Sequence, residues 1–258
     1  PLIVERREDG VTVLTLNRPE VHNAFDWRAM EAFAEAVSGI AADADAAPDA
    51  VGAVVVAGAG GRAFSSGGDL RALRDAVRRE DGARVAATMG DALIALESLP
   101  VPVLAAVDGY AVGGGAEIAL ACDLRFVSRT ARMGLVHLGL AEVPGWGGGT
   151  RLARLVGHSR AARMLLEARA HDAAELSALG VADYVVAAGQ ALESALVLAG
   201  RLAAADRAAV RAIKALLLAA RSRDRAGALA FERSLFVDLW PAAAHVEAMR
   251  AFGSPDRH

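Results

Sequence analysis

The chain has 258 residues, 54% of them hydrophobic, and a formal net charge of −3. That suffices for one large domain, or a domain with a helical appendage, and leaves no strong basic field to draw nucleic acid or an anionic membrane. A single cysteine, Cys122, excludes an internal disulfide, and no apolar run reaches the roughly 18 residues of a membrane span, so the expected compartment is the cytoplasm.

Taken in order, Leu2–Arg7 and Val11–Leu16 are β-branched, apolar runs around the turn signal Asp9-Gly10, and they read as a hairpin. The N-terminal stretch PLIVERREDG has the pattern of neither a signal nor a transit peptide. Asn17-Arg18-Pro19 ends the second strand. Asp26 can cap a helix whose apolar face is Trp27, Met30, Ala34 and Val37. Ala53–Ala57 is wholly apolar, the mark of a strand covered on both faces. A glycine-rich stretch follows, then a charged helical pattern of about thirty residues up to Leu99, and a second buried strand over Val101–Val107.

The segment DGYAVGGGAEIALACDL reads as loop, helix, and return to a strand around Leu124–Val127. Its Cys122, among apolar neighbours, is expected to be a buried structural thiol. After Pro144 the chain turns helix-rich. Asp172 and Glu175 have capping-box spacing, Gly180 is a plausible stop, and Tyr184–Val186 is a last strand. Helical patterns then cover Ala191–Ala204, Arg207–Ala220, Ala226–Trp240 and a short stretch after Pro241. Their apolar faces need the core or another subunit to cover them. Strands alternating with helices predict a layered α/β core over residues 1–189 and a helical region over 190–258.

Two glycine-rich loops carry the chemistry, and each follows a buried strand, where backbone N–H groups meet ligands in α/β proteins. In FSSGGDL, Gly67 and Gly68 admit a ligand close to the amides, and Asp69 would suit a helix start. The plain alternative is a tight turn and an N-cap. In GYAVGGGAEIAL, Gly113, Gly114 and Gly115 stand where a helix begins, with free N–H groups and the positive end of its dipole. Glu117 lies three residues beyond Gly114 and can share its helix face. Amide donors stabilise negative charge on oxygen while a carboxylate moves a proton at the neighbouring carbon, which is enolate chemistry.

NRPEVHNAF, AFSSGGDL, GYAVGGGAEIALACDLRF, LGLAEVPGWGGGTRL and SALGVADYVV resemble, in order and spacing, the signatures of the crotonase (enoyl-CoA hydratase/isomerase) superfamily over nearly the whole chain. The resemblance implies a spiral of ββα units with C-terminal helices that drive a homotrimer or a dimer of trimers. It implies an acyl-CoA thioester as substrate, with coenzyme A as part of it and no separate cofactor. The oxyanion hole then falls on Gly68 and Gly114, the first catalytic glutamate on Glu117, and CoA contacts on His22, Ala24, Phe25, Ser66, Asp69, Leu70 and Gly113. Arg62 is a phosphate partner by position and charge.

One departure matters. The second glutamate of hydratases falls on His137 here, which can act as acid or base, since imidazole ordinarily titrates near neutral pH, or can merely fill the pocket. Glu142, two residues before Pro144, is a substitute carboxylate. The histidine and the tail ERSLFVDLWPAAAHVEAM resemble ethylmalonyl-CoA decarboxylases and their relatives. The expected reaction is therefore decarboxylation of a short 2-substituted malonyl-CoA through an enolate, with enoyl-CoA hydration or isomerisation as the alternative. An ionised Glu117 would repel the substrate carboxylate, so it is expected protonated or turned away.

Rival classes fit less well. GAGGRA, Gly58–Ala63, matches a dinucleotide fingerprint but does not open a helix at once. The histidines at 22, 137, 158, 171, 245 and 258 lack metal-ligand spacing, and no G-x-S-x-G is present. A non-catalytic CoA-ester binder would not need Glu117. An RNA-binding role would need a basic patch, and Asp75, Glu80 and Asp81 interleave with Arg71, Arg74, Arg78 and Arg79.

Overall fold

The computed structural model describes residues 1–47 and 49–252, so His258 lies outside the described residues. Its first compact unit spans 1–203 and is α/β. Strand β1 (Leu2–Arg6) and β2 (Val11–Leu16) form the expected antiparallel hairpin, with Gly10 at φ 79° in the turn. Helix α1 (Trp27–Ala46) starts where Asp26 accepts a 2.8 Å bond from the Ala29 N–H. Met30 and Val37 are buried as expected, and Phe33, Ile40 and Ala44 complete the stripe. Strands β3 (Ala53–Gly58), β5 (Val103–Val107), β7 (Leu124–Ser128) and β10 (Tyr184–Val186) then add in parallel, giving the sheet order β1-β2-β3-β5-β7-β10.

Strand β3 shows why its sequence is apolar without alternation. Val54 and Val56 face a core with α1, while Ala53, Val55 and Ala57 face the opposite cluster. That second cluster is closed by α7 (Ala191–Ala204) through Ala191, Ala195, Ala199 and Ala203. Four alanines at i, i+4 spacing present a smooth face to the sheet, and they hold α7 in the first unit. The units therefore divide between Ala203 and Ala204, beyond the expected 189/190 boundary.

A second sheet, absent from the sequence expectation, consists of β4 (Ala63–Ser65), β6 (Tyr110–Val112), β8 (Arg132–Gly134) and β9 (His171–Asp172) in that order. Strands β3, β5 and β7 of the first sheet are each followed by a short strand of the second, β4, β6 and β8. A helix follows β4 and β6, namely α2 (Arg79–Glu97) and α3 (Gly114–Ala121). After β8 come a single 3-10 turn at His137–Leu140, then α4 (Gly148–Val156) and α5 (His158–Glu167). This is the ββα spiral that the resemblance implied, and it stacks the β4, β6 and β8 ends beside one another.

Helix α2 is shorter than the charged pattern suggested. Residues 70–78 form turns, and Asp69 begins no helix; its carboxylate accepts from the Ala72 N–H at 3.1 Å and closes a turn instead. Of the four arginines within that charged helical pattern, only Arg79 is helical, because Arg71 and Arg74 lie in those turns and Arg78 is the N-cap. Helix α6 (Ala173–Leu179) has both bonds of the Asp172/Glu175 capping box and ends at Gly180 in the left-handed region, as its sequence predicts.

The second unit, from Ala204 on, contains α8 (Arg207–Ser222), α9 (Arg225–Leu239) and α10 (Ala243–Ala251). Asp206 and Asp224 cap the first two. Ile213, Leu217, Leu229, Phe236, Val237 and Trp240 remain exposed on α8, α9 and the residue that ends α9. Among the described residues no helix is long and apolar enough to cross a membrane.

Candidate active site

Helix α3 is buried along all of its residues, Glu117 among them at 1% exposure. A helix with no solvated face must be built of small and apolar residues, which explains GGAEIALA and makes its single carboxylate conspicuous. Gly113 precedes it at φ 56°, in the left-handed region that favours glycine. The Gly113 N–H donates to Gly134 O at 3.0 Å and its C=O accepts from Glu117 N at 3.1 Å, so the chain is fixed on both sides of the next peptide. The Gly114 N–H is thus left at the open N-terminal end of α3, where the helix dipole is positive.

The first loop reaches the same place from β4. A Cβ on Gly67, which has φ +84°, would lie 2.6 Å from Gly114 N, so the two backbones are in contact and leave no room for a side chain. Gly67 O accepts from the Phe25 N–H at 2.8 Å, and the Asp69 N–H donates to Phe25 O at 2.9 Å. Both bonds lie on one side of the loop. Since a trans peptide sets N–H and C=O in opposite directions, the Gly68 N–H faces away from Phe25. The structure therefore brings the two loops together, Gly67 against Gly114, with the Gly68 N–H turned from Phe25 and the Gly114 N–H at a helix start.

Glu117 is surrounded by donors. Its Oε1 accepts from the Trp146 N–H at 2.9 Å and the Gly148 N–H at 2.8 Å, and Oε2 lies 3.1 Å from His137 Nε2. Gly148 is the first residue of α4, so the carboxylate also caps a second helix N-terminus. A Cβ on Gly148 would meet Glu117 Cγ at 2.4 Å, and one on Gly114 would meet the Trp146 ring at 2.2 Å. Gly148 of the PGWGGG segment thus leaves the room that Glu117 occupies. His137 is buried and its Nδ1 has no partner among the described residues.

Other expected residues fall around this centre in different ways. Ala24 and Phe25 are buried, and Phe25 stacks edge-on against Phe33 and Trp146. Ser66 donates its N–H to His22 O at 3.0 Å, and the His22 side chain is exposed. Asp69 pairs with Arg18 at 3.4 Å, so its carboxylate serves the loop. Leu70 is 59% exposed, and Arg62 is exposed with a 3.4 Å bond to Pro19 O. Glu142 is exposed, and its contact with His137 is between backbones, the Glu142 N–H donating to His137 O at 3.2 Å, so its side chain is not brought to the pair as expected. Cys122 is buried, as expected, and its thiol donates to Ile118 O at 3.5 Å.

Three residues that the sequence reading passed over hold the first loop. The Asn23 side chain donates to Ala59 O at 3.0 Å and Ala63 O at 2.8 Å and accepts from the Arg18 N–H at 2.9 Å. Ser65 Oγ donates to Asn23 O and accepts from the Gly67 N–H at 3.1 Å. Arg18 donates to Ala24 O and pairs with Asp26 and Asp69. Their signal was the NRPEVHNAF segment itself, in which an Asn at φ 55° marks a backbone that few other residues adopt.

The enoyl-CoA hydratase/isomerase family model matches residues 6–254. The short-chain-enoyl-CoA hydratase of Clostridium acetobutylicum is 32% identical over 97% of this chain and 94% of its own length. The ethylmalonyl-CoA decarboxylase of Gallus gallus is 30% identical over 95% of this chain and 82% of its own length. The crystal structure of enoyl-CoA hydratase from Bacillus anthracis superposes with a TM-score of 0.90 at 29% identity, covering 97% of this chain and 95% of that one. Sequence, spiral fold and paired glycine loops agree: the chain belongs to the enoyl-CoA hydratase/isomerase family, the crotonase superfamily of enzymes.

Proposed function

We propose that this enzyme binds an acyl-CoA thioester with its carbonyl oxygen between the Gly68 and Gly114 amides, forms the thioester enolate there, and delivers a proton to the α-carbon through the Glu117–His137 pair. The observation that carries this reading is the 3.1 Å contact between Glu117 Oε2 and His137 Nε2, beside the two glycine loops. Glu117 holds the imidazole, and His137, whose buried Nδ1 has no partner among the described residues, is the group assigned to pass the proton.

For the reaction itself the geometry favours decarboxylation of a short 2-substituted malonyl-CoA. Hydration calls for two carboxylates that share one water; here the oxygens of Glu117 already bond to Trp146, Gly148 and His137, and Glu142 is exposed. Those donors offset negative charge at Glu117 and weaken the repulsion a substrate carboxylate would feel. In decarboxylation the C–CO2 bond breaks, its electron pair becomes the enolate, CO2 departs, and a proton supplied through His137 forms the new α C–H bond. Hydration of a 2-enoyl-CoA is the second reading, and the names of relatives such as the Clostridium acetobutylicum hydratase favour it.

Parallel incubation with ethylmalonyl-CoA and crotonyl-CoA, followed by mass analysis, separates the two. Loss of CO2 from the first with the second untouched supports decarboxylation. Gain of water by the second supports hydration and sinks the decarboxylase reading. The exposed apolar face of α8 and α9 accords with a homotrimer or dimer of trimers. Light scattering after gel filtration tests this, and a monomer would contradict it.

A further inference from the structure

The two donors of the hole are made differently, and the difference singles out Arg18. Its Nη1 donates to Ala24 O at 2.6 Å. Across the same trans peptide, the Phe25 N–H donates to Gly67 O at 2.8 Å. Across the next trans peptide stands the Gly68 N–H, the donor aimed at the hole. Guanidinium, peptide, peptide and ligand oxygen thus form one chain of hydrogen bonds in which every member donates in the same direction.

We propose that Arg18 is a positioning residue that orients and polarises the Gly68 amide through these two peptide groups in series. Hydrogen bonds in a chain strengthen one another, and a full positive charge at the head of the chain polarises each carbonyl it reaches. The rest of the guanidinium is anchored: Nη2 lies 3.0 Å from Asp26 Oδ2 and 3.4 Å from Asp69 Oδ2. Asp26 caps α1 and Asp69 follows Gly68 directly, so Arg18 ties the loop to the start of α1. The two carboxylates share Nη2 and leave Nη1 for the relay, though they temper the charge that it transmits. The proposal rests on the acyl-thioester reading of the Gly68/Gly114 hole, and its test separates the two.

The experiment compares the wild type with Arg18→Lys and Arg18→Gln. Lysine keeps a cation and glutamine keeps a neutral donor, so charge separates from mere contact. Three quantities are read: kcat and KM on the turned-over thioester, the red shift of bound 4-dimethylaminocinnamoyl-CoA, and the amide proton shift of Gly68 in the free protein. The relay predicts a kcat about two- to fivefold lower in Arg18→Gln with KM unchanged, the range that roughly 10–30% cooperative strengthening of a donor implies. Arg18→Lys should fall between, the probe's red shift should shrink in the same order, and the Gly68 amide proton should move upfield. Equal kcat and red shift in all three proteins, or loss that follows urea midpoints with Lys and Gln alike, would overturn the relay. A wild type that binds the probe without a red shift overturns the thioester reading instead, and the Gly68 amide shift then still decides the relay. Should Arg18→Gln fail to fold, the same amide shift in Arg18→Lys carries the decision.

Discussion

The two glycine loops arrive at one site by opposite means. Gly114 is held by its own helix: the Gly113 C=O accepts from Glu117 N one turn on, and the dipole of α3 aims the next amide outward. Gly68 has no helix behind it, because residues 70–78 form turns. Its amide is set chiefly by the distant Phe25, whose N–H donates to Gly67 O and whose O accepts from the Asp69 N–H, with Arg18 bonded to Ala24 O behind it and Ser65 Oγ accepting from the Gly67 N–H. One donor is a product of local structure and the other of tertiary contact, so they should respond differently to substitution.

Breaking the local donor should cost the most. Gly114→Ala places a Cβ 2.2 Å from the Trp146 ring, so the helix start must shift and the hole opens. We expect a kcat/KM loss of at least about 10³-fold, the upper range for one oxyanion donor. Activity within tenfold of wild type would remove Gly114 from the hole. Glu117→Gln comes next. The amide keeps an oxygen for the Trp146 and Gly148 N–H groups and an N–H for His137, so the loops stay in place. Turnover should fall about 10²- to 10³-fold while the thioester Kd changes little. Unchanged turnover would take Glu117 out of proton transfer.

The tertiary donor should fail more gradually. Asn23→Ala strips partners from Ala59 O, Ala63 O and the Arg18 N–H. About 3 kcal/mol of stability should be lost in urea unfolding, with a roughly tenfold lower kcat. A large kcat loss without destabilisation would contradict a purely supporting role for Asn23.

The smallest effect concerns β9, which pairs with β8 and so borders the strand that ends at Gly134. His171 there is fully buried, and desolvation, helped by the Arg169 charge, holds its pKa below the ordinary value, against the pull of Glu175 and Glu167. Arg163 adds to the lowering, and Glu175, held down to about 2 chiefly by its hydrogen bond from Arg169, stays charged throughout. The unfolded chain then binds a proton that the folded chain resists. Stability is complete above the unfolded value of about 6.5 and declines as pH falls from there towards the depressed folded value. The Tm of wild type should drop over that interval, and His171→Leu should flatten the decline. An unaltered acid limb in that variant would clear His171.

Local patterns made much of this legible. The Asp26 cap, the two-faced β3, the Asp172/Glu175 box and the Gly-rich start of α3 each involve residues within a few positions of one another. The second sheet was not legible, because strands of two or three residues such as Arg132–Gly134 carry no period and exist only through pairing. Asp69 does accept from the Ala72 N–H as an N-cap would, yet only a turn follows and the helix begins at Arg79. Glu117 and His137 were each singled out, but their contact spans twenty residues and depends on β7 and β8 turning the chain back. That Trp146 and Gly148 would supply the carboxylate's other donors lay beyond any spacing rule.

The central claim is an enolate held by both glycine loops and protonated at carbon. It is tested most directly by incubating the wild type in D2O with ethylmalonyl-CoA and with crotonyl-CoA and locating deuterium in the product. Decarboxylation and hydration alike should leave one deuterium on the α-carbon of an intact CoA thioester. Release of free CoA without α-deuterium, or no change in either thioester, would contradict it.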